Sequence, residues 1–180
     1  MMRPRTVLPG GPVTRRHGSE NHLSPSPTPE GRRVRDSATE MTQLGLPQYA
    51  KVHGPLRGGT VMHWIALAAA IVANRHSRRP VVTAAFDEMS FLAPIQVGQV
   101  ALIHARLTLV DRSSMEIRVD VESEDVLSRE RRKTGTAFVT FVALDPVTRR
   151  PSPVPPLLLE TDEERTEHTR ALERRQLRLE

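Results

Sequence analysis

With no cysteine among its 180 residues, the chain has no thiolate nucleophile, no disulfide framework and no cysteine-ligated zinc. Its chemistry has to rest on other groups, and several lie near one strongly apolar run, Val61 to Ala73. His63 interrupts that run, and a neutral imidazole there is able to activate water near physiological pH. His53 and Arg57 precede it; a guanidinium such as Arg57 can pair with a phosphate or simply point to water. Asp87 and Glu88 are the nearest acids in the block that follows. Gly58-Gly59 opens the run, and glycine lets a ligand approach the backbone closely as readily as it makes a turn.

The overall charge points elsewhere at first. A formal charge of +5 and a pI near 10.8 suit nucleic acid or an anionic membrane surface. The arginines are scattered, however, and one Tyr, one Trp and four Phe leave no aromatic interleaving for base stacking, so no nucleic-acid partner is expected. The first residues lack the uninterrupted apolar stretch of a secretory signal. Val61 to Ala73 is too short to span a bilayer and reads as a buried helix. A cytoplasmic protein without a membrane span is the expectation.

At this length one domain is the natural reading. The hydrophobic content of 38% and the 15 prolines imply that part of the chain lies outside its core. Residues 1–40, with Ser24-Pro25-Ser26-Pro27-Thr28-Pro29, have no apolar period and are expected to form a disordered leader. Met41 opens the first regular patterning and is an alternative start of the natural product.

A short strand is expected between Gln48 and His53, a turn at Gly54-Pro55, and a helix from Gly58-Gly59-Thr60 to about Arg75-His76. That helix is apolar nearly all round and should be surrounded by protein. Four strands then follow: Val81 to Phe91, Val100 to Asp111, Ser114 to Glu124 and Lys133 to Leu144. Ile103, Ala105, Leu107 and Leu109 share one face, and Met115, Ile117, Val119 and Val121 alternate with Glu116, Arg118, Asp120 and Glu122. One face should be buried and the other wet, in an antiparallel sheet. The economical packing is α+β: a curved five-stranded antiparallel sheet wrapped around the buried helix, which is the hotdog fold. The domain should occupy residues 41–156, and residues 157–180 should form a solvated, charged helical tail whose first turn holds Asp162, Glu163 and Glu164.

From Val52 to about Glu164 the chain resembles the acyl-CoA thioesterases of the cytosolic, or brain, acyl-CoA hydrolase type and their single-domain bacterial relatives. The resemblance rests on Gly58-Gly59-Thr60-Val61-Met62, Ala73-Asn74-Arg75-His76, Val82-Thr83, the block from Phe86 to Pro94 with Val97-Gly98, Ser114-Met115-Glu116-Ile117, and Val154-Pro155-Pro156. It implies hydrolysis of a fatty acyl-CoA to free acid and CoA, with no metal and no cofactor beyond the CoA of the substrate. It also implies a site shared between subunits, hence a homodimer or higher oligomer.

The resemblance further implies that amides of Gly58 and Gly59, at the start of the helix, polarise the thioester carbonyl. Arg57, Asp87 and Ser90 are the positions expected to meet the CoA portion. The family's carboxylate, about two turns into the helix, falls on Ala66, and its amide, in the preceding loop, falls on Pro55. Alanine can neither take a proton nor attack a carbonyl. Three functions follow: a thioesterase using a displaced base such as His63, one turn before Ala66; an acyl-CoA-binding or regulatory subunit impaired in hydrolysis; or another hotdog enzyme such as a dehydratase, disfavoured because no acid lies on the helix.

Overall fold

The computed structural model describes residues 30–179. Its elements run β1 (Arg32–Arg33), α1 (Val34–Ser37), β2 (Thr39–Leu44), a 3-10 turn (Pro47–Tyr49), α2 (Gly58–Ser77), β3 (Val81–Phe91), β4 (Val100–Val110), β5 (Ser114–Glu124), β6 (Arg131–Ala143), β7 (Leu157–Leu158) and α3 (Asp162–Leu179). Five strands form one antiparallel sheet in the order β2-β4-β5-β6-β3. The expected α+β hotdog architecture is therefore the one observed.

The inner face follows the period-two reading. Ile103, Ala105 and Leu107 of β4, Met115, Ile117, Val119 and Val121 of β5, and Val139 and Phe141 of β6 join one core with α2. Ala68, Ala69 and Ala73 are fully buried, so the helix lies close on the sheet. Each large aliphatic side chain taken out of water there contributes about 1.5–3 kcal/mol. The helix ends at Arg78, whose φ of 52° is left-handed and whose amide bonds Asn74 O at 2.8 Å. Arg32 donates to the carbonyl of His76, and Arg75 donates to Ala38 O and Thr39 Oγ1, which places cations at the negative end of the helix dipole.

Four expectations need correction. Residues 32–40 are not part of a disordered leader: β1 pairs with β7, β2 pairs with β4, and Val34, Ser37 and Thr39 are buried. The remainder of that leader, residues 1–29, lies outside the described residues. The strand expected at Gln48 to His53 is instead the 3-10 turn followed by an Ala50–Leu56 bridge, because Pro47 starts the turn and Gly54-Pro55 folds the chain back.

The charged helix α3 is not solvated all round. It lies on the outer face of the sheet, with Glu167 and Ala171 buried. Arg118 of β5 bonds Asp120 at 2.8 Å and Glu167 at 2.8 Å, Arg174 bonds Glu116 at 2.7 Å, and Arg106 bonds Glu163 at 2.9 Å. The Arg174 guanidinium also sits 3.7 Å from the centre of the Phe138 ring. Thr161 and Glu164 form a capping box at its start. Finally, α2 is not covered all round: Met62, Leu67 and Ile71 are exposed. Among the described residues no helix is long and apolar enough to cross a membrane.

Candidate active site at the start of α2

The loop before α2 is pinned from both sides. Leu56 N donates to Ile95 O at 2.8 Å, Arg57 N to Tyr49 O at 2.8 Å and Lys51 N to Pro55 O at 3.0 Å. Arg57 Nη2 donates to Gln48 O at 2.5 Å, so this arginine braces the loop. Arg57 is also the N-cap of α2, and its side chain caps nothing. The first amides bonded back to Arg57 O are those of Thr60 and Val61, at 3.0 and 3.3 Å. Neither the Gly58 nor the Gly59 amide donates to a backbone carbonyl among the described residues. The helix thus begins with free donors at its positive end, the arrangement that favours a developing oxyanion.

The two glycines are not required by the chain itself. Neither has a positive φ, since Gly98 is the only described glycine with one. A Cβ at Gly58 would meet the Phe91 ring at 3.8 Å, an ordinary contact, and one at Gly59 would meet nothing within 4 Å. Glycine costs about 1 kcal/mol relative to alanine within a helix. Two glycines held without steric or conformational need leave the backbone open to something outside the chain.

Two cavities flank this helix start. The first, about 320 Å³, lies between Lys51, Pro55 and Gly58 on one side and the turn from Phe91 to Ile95 on the other, with Thr134 of β6 in its wall. The second, about 430 Å³, is lined by Gln43, Tyr49, Gly59, Thr60, His63, Trp64 and Leu67. The expected site residues are therefore divided. Pro55 and Gly58 reach the first cavity, whereas Gly59 and His63 reach the second. Ala66 lines neither and is half-buried, one turn beyond His63. Trp64 is buried and meets Tyr49 edge to face at 5.3 Å, while Met62 is exposed.

The expected CoA contacts separate further. Asp87 is turned to the outer face, where it accepts hydrogen bonds from Thr140 at 3.3 Å and from Arg178 of α3, so it is not part of the cavity. Ser90 lines neither cavity; its carbonyl lies against Gly135, where any Cβ would collide with it. The side chain of Glu88 lies outside the described residues. His53 is exposed in the loop. Lys51 and Thr134 were missed by sequence reasoning. Gly135, an isolated glycine within a strand, was a signal of close backbone approach that pointed to Thr134's neighbourhood.

A helix in the grip of a curved antiparallel sheet, with free amides at its start and cavities on either side, defines a hotdog-type site. Residues 53–129 match the thioesterase superfamily. An uncharacterized acyl-CoA thioester hydrolase of Bacillus subtilis is 40% identical over 147 residues, spanning 82% of this chain and 85% of the relative. The crystal structure of an apo-hexameric acyl-CoA thioesterase superposes with a TM-score of 0.80 at 34% identity, covering 83% of this chain and 95% of that one. An acyl-CoA hydrolase from Staphylococcus aureus, in complex with butyryl coenzyme A, coenzyme A and coenzyme A disulfide, gives 0.76 at 32% identity, covering 82% and 89%. An acyl-coenzyme A thioesterase and an acetyl-coenzyme A thioesterase of Mus musculus are longer, and the chain spans 23% and 25% of their lengths. The chain belongs to the thioesterase superfamily, among its acyl-CoA thioester hydrolases.

Proposed function

We propose that the protein is an acyl-CoA thioesterase, cleaving the C–S bond of a fatty acyl-CoA with water to give the free acid and CoA, in the cytoplasm and without a metal or further cofactor. The observation that carries this reading is the Gly58-Gly59 pair, whose amides are free and whose lack of side chains nothing in the chain itself requires. A thioester carbonyl placed there would gain its strongest hydrogen bonds as its oxygen becomes negative, which is where catalysis is won. The S. aureus hydrolase, crystallised with butyryl coenzyme A, supports the ligand class.

The exposed apolar side chains Met62, Leu67 and Ile71 on the helix that carries Ala66 support a site completed by a second copy of the chain. The hexameric relative supports the same reading.

A second reading is favoured by Ala66: an acyl-CoA-binding subunit impaired in hydrolysis. The S. aureus hydrolase has been crystallised with alanine replacing an aspartate, an asparagine or a threonine. With that aspartate set on Ala66, the same spacing places the asparagine on Lys51 and the threonine on Thr83. Thr83 is kept, whereas the carboxylate is not. Lys51 and Pro55 line the same cavity, so neither candidate position supplies an amide side chain. Turnover of an acyl-CoA series by the purified protein decides between the two readings. Steady release of CoA supports the enzyme; tight binding without release supports the binding subunit.

A further inference from the structure

The first cavity has a polar group in its wall that the fold leaves unused. Thr134 is 1% exposed, and its Oγ1 is buried without a hydrogen-bond partner, one of two such side-chain atoms among the described residues. The residue is held rigidly: its carbonyl accepts from Leu92 N at 2.7 Å and Ala93 N at 3.4 Å, and the next residue, Gly135, is pressed against Ser90. Around it the wall is apolar, built from Leu56, Val61, Phe91, Leu92 and Ile95. Phe91 bridges the distance to the helix start, since its ring is 3.8 Å from where a Gly58 Cβ would stand, and it pairs with Gly135 across the sheet.

A buried hydroxyl without a partner destabilises the fold, and a valine of nearly the same shape would avoid that cost. The threonine becomes useful once something in the cavity bonds to it. We infer that the Thr134 hydroxyl is a ligand-selecting group, which bonds a hydrogen-bonding oxygen or amide of the thioester lying in this cavity. Because the side chain is so little exposed, the bond forms through a χ1 step that exchanges methyl and hydroxyl, or as the ligand parts the wall. The partner belongs either to the acyl chain, as a hydroxyl or oxo group, or to the pantetheine arm, as an amide. This inference rests on the thioesterase reading of the site.

The test uses the full chain and its Thr134→Val and Thr134→Ser variants. Each is titrated calorimetrically with non-hydrolysable thioether analogues of a plain acyl-CoA and of its 3-hydroxy counterpart of equal length, and with CoA alone. If the acyl chain carries the partner, Thr134→Val lowers the preference for the hydroxylated analogue about tenfold and Thr134→Ser keeps it. If the pantetheine arm carries it, Thr134→Val weakens CoA itself about tenfold and Thr134→Ser does not. Wild-type affinities and ratios in Thr134→Val would overturn the inference while leaving the site's ligand class intact. Failure of the unmodified protein to bind any of the three would remove the thioesterase reading, and this inference with it. Melting without ligand adds a check: Thr134→Val should melt at or above the wild-type temperature, and a clear fall would show that the hydroxyl already has a partner, which overturns the inference.

Discussion

Two helices pack on the same sheet from opposite sides, by opposite physics. On the inner face α2 presents Val61, Trp64, Ile65, Ala68, Ala69, Val72 and Ala73 to aliphatic strands, an association that is non-directional and roughly proportional to the apolar area removed from water. On the outer face α3 buries little apolar surface and is held by a ladder of charge pairs, Arg106–Glu163, Arg118–Glu167 and Arg174–Glu116. Some of these are substantially desolvated: the side chain of Glu116 is 1% exposed and that of Glu167 is 8%. Such pairs cost much when broken and add little when compared with an apolar substitute. The first helix therefore sets whether the domain folds, and the second sets under what conditions its outer face is covered.

The largest effect should come from the inner face. Ile65→Ala removes a fully buried side chain and should cost about 3–4 kcal/mol in urea denaturation. On the outer face Arg118→Ala strands two partly buried carboxylates and should cost less, about 2 kcal/mol. Equal losses would erase the distinction between the faces. Truncation probes the segment joined to both. A chain beginning at Gly31 keeps every contact described here, whereas one beginning at Met41 loses the buried Val34, the Arg32 cap on α2 and the start of β2. The shorter chain should be less stable by about 2–3 kcal/mol. Identical melting temperatures would show that residues 32–40 are dispensable.

Acid should separate the faces further. Burial alone would raise the Asp120 and Glu167 carboxyls, but bonds from Arg118, with those of Thr136 and Arg170, outweigh it and hold both below the usual carboxylate range. Folded values below the unfolded ones, about 4, mean that this stabilisation is complete above that pH and is lost as pH falls through and below it. His76 acts earlier. Burial, despite its 2.8 Å bond to Pro155 O, lowers its pKa, so the unfolded chain takes up the proton first, from about pH 6.5 downward. Stability should thus decline in two stages on acidification. The first should vanish in His76→Gln, and the second should coincide with amide exchange in α3. A single transition shared by α2 and α3 would contradict the separation.

The smallest effect concerns two similar loops. Arg129 and Arg149 sit at φ of 63° and 58°, each four residues after an aspartate that accepts amide bonds within its turn. A left-handed conformation costs a non-glycine residue about 1–2 kcal/mol. After the entropy glycine brings to the unfolded chain, Arg149→Gly should stabilise by about 0.5 kcal/mol, seen as a slightly higher denaturation midpoint.

These contrasts explain what was legible in the sequence. The inner faces of β4 and β5 were readable because Ile103, Leu107, Ile117 and Val121 announce themselves by period two, and α2 by its continuous apolar run. The docking of α3 was not, because charged residues on a helix and on a sheet's outer face each read as solvated until they are seen to face one another. Residues 32–40 escaped because Val34 is their one large apolar side chain, and the rest of their stability comes from backbone pairing and arginine caps. At the site, Gly58-Gly59 and the vacancy at Ala66 were visible. The division between two cavities was not, since residues one helical step apart can face different neighbours. The outward turn of Asp87 was hidden for a similar reason: β3 is bulged between Thr83 and Ala85 and between Phe86 and Met89, so simple alternation fails there.

The central claim is that the start of α2 polarises a thioester carbonyl while the carboxylate beside it is missing. Ala66 is half-buried, with the exposed Met62 and His63 one turn before it, so Ala66→Asp can be introduced without stranding a charge in the core. The decisive measurement is acyl-CoA turnover by Ala66→Asp beside the unmodified protein and His63→Ala. Ala66→Asp should restore or raise kcat by at least about tenfold, as expected of a positioned base, and His63→Ala should abolish whatever turnover the unmodified protein has. An Ala66→Asp protein that folds, binds acyl-CoA and still hydrolyses nothing would contradict the placement of the carbonyl at the Gly58-Gly59 amides.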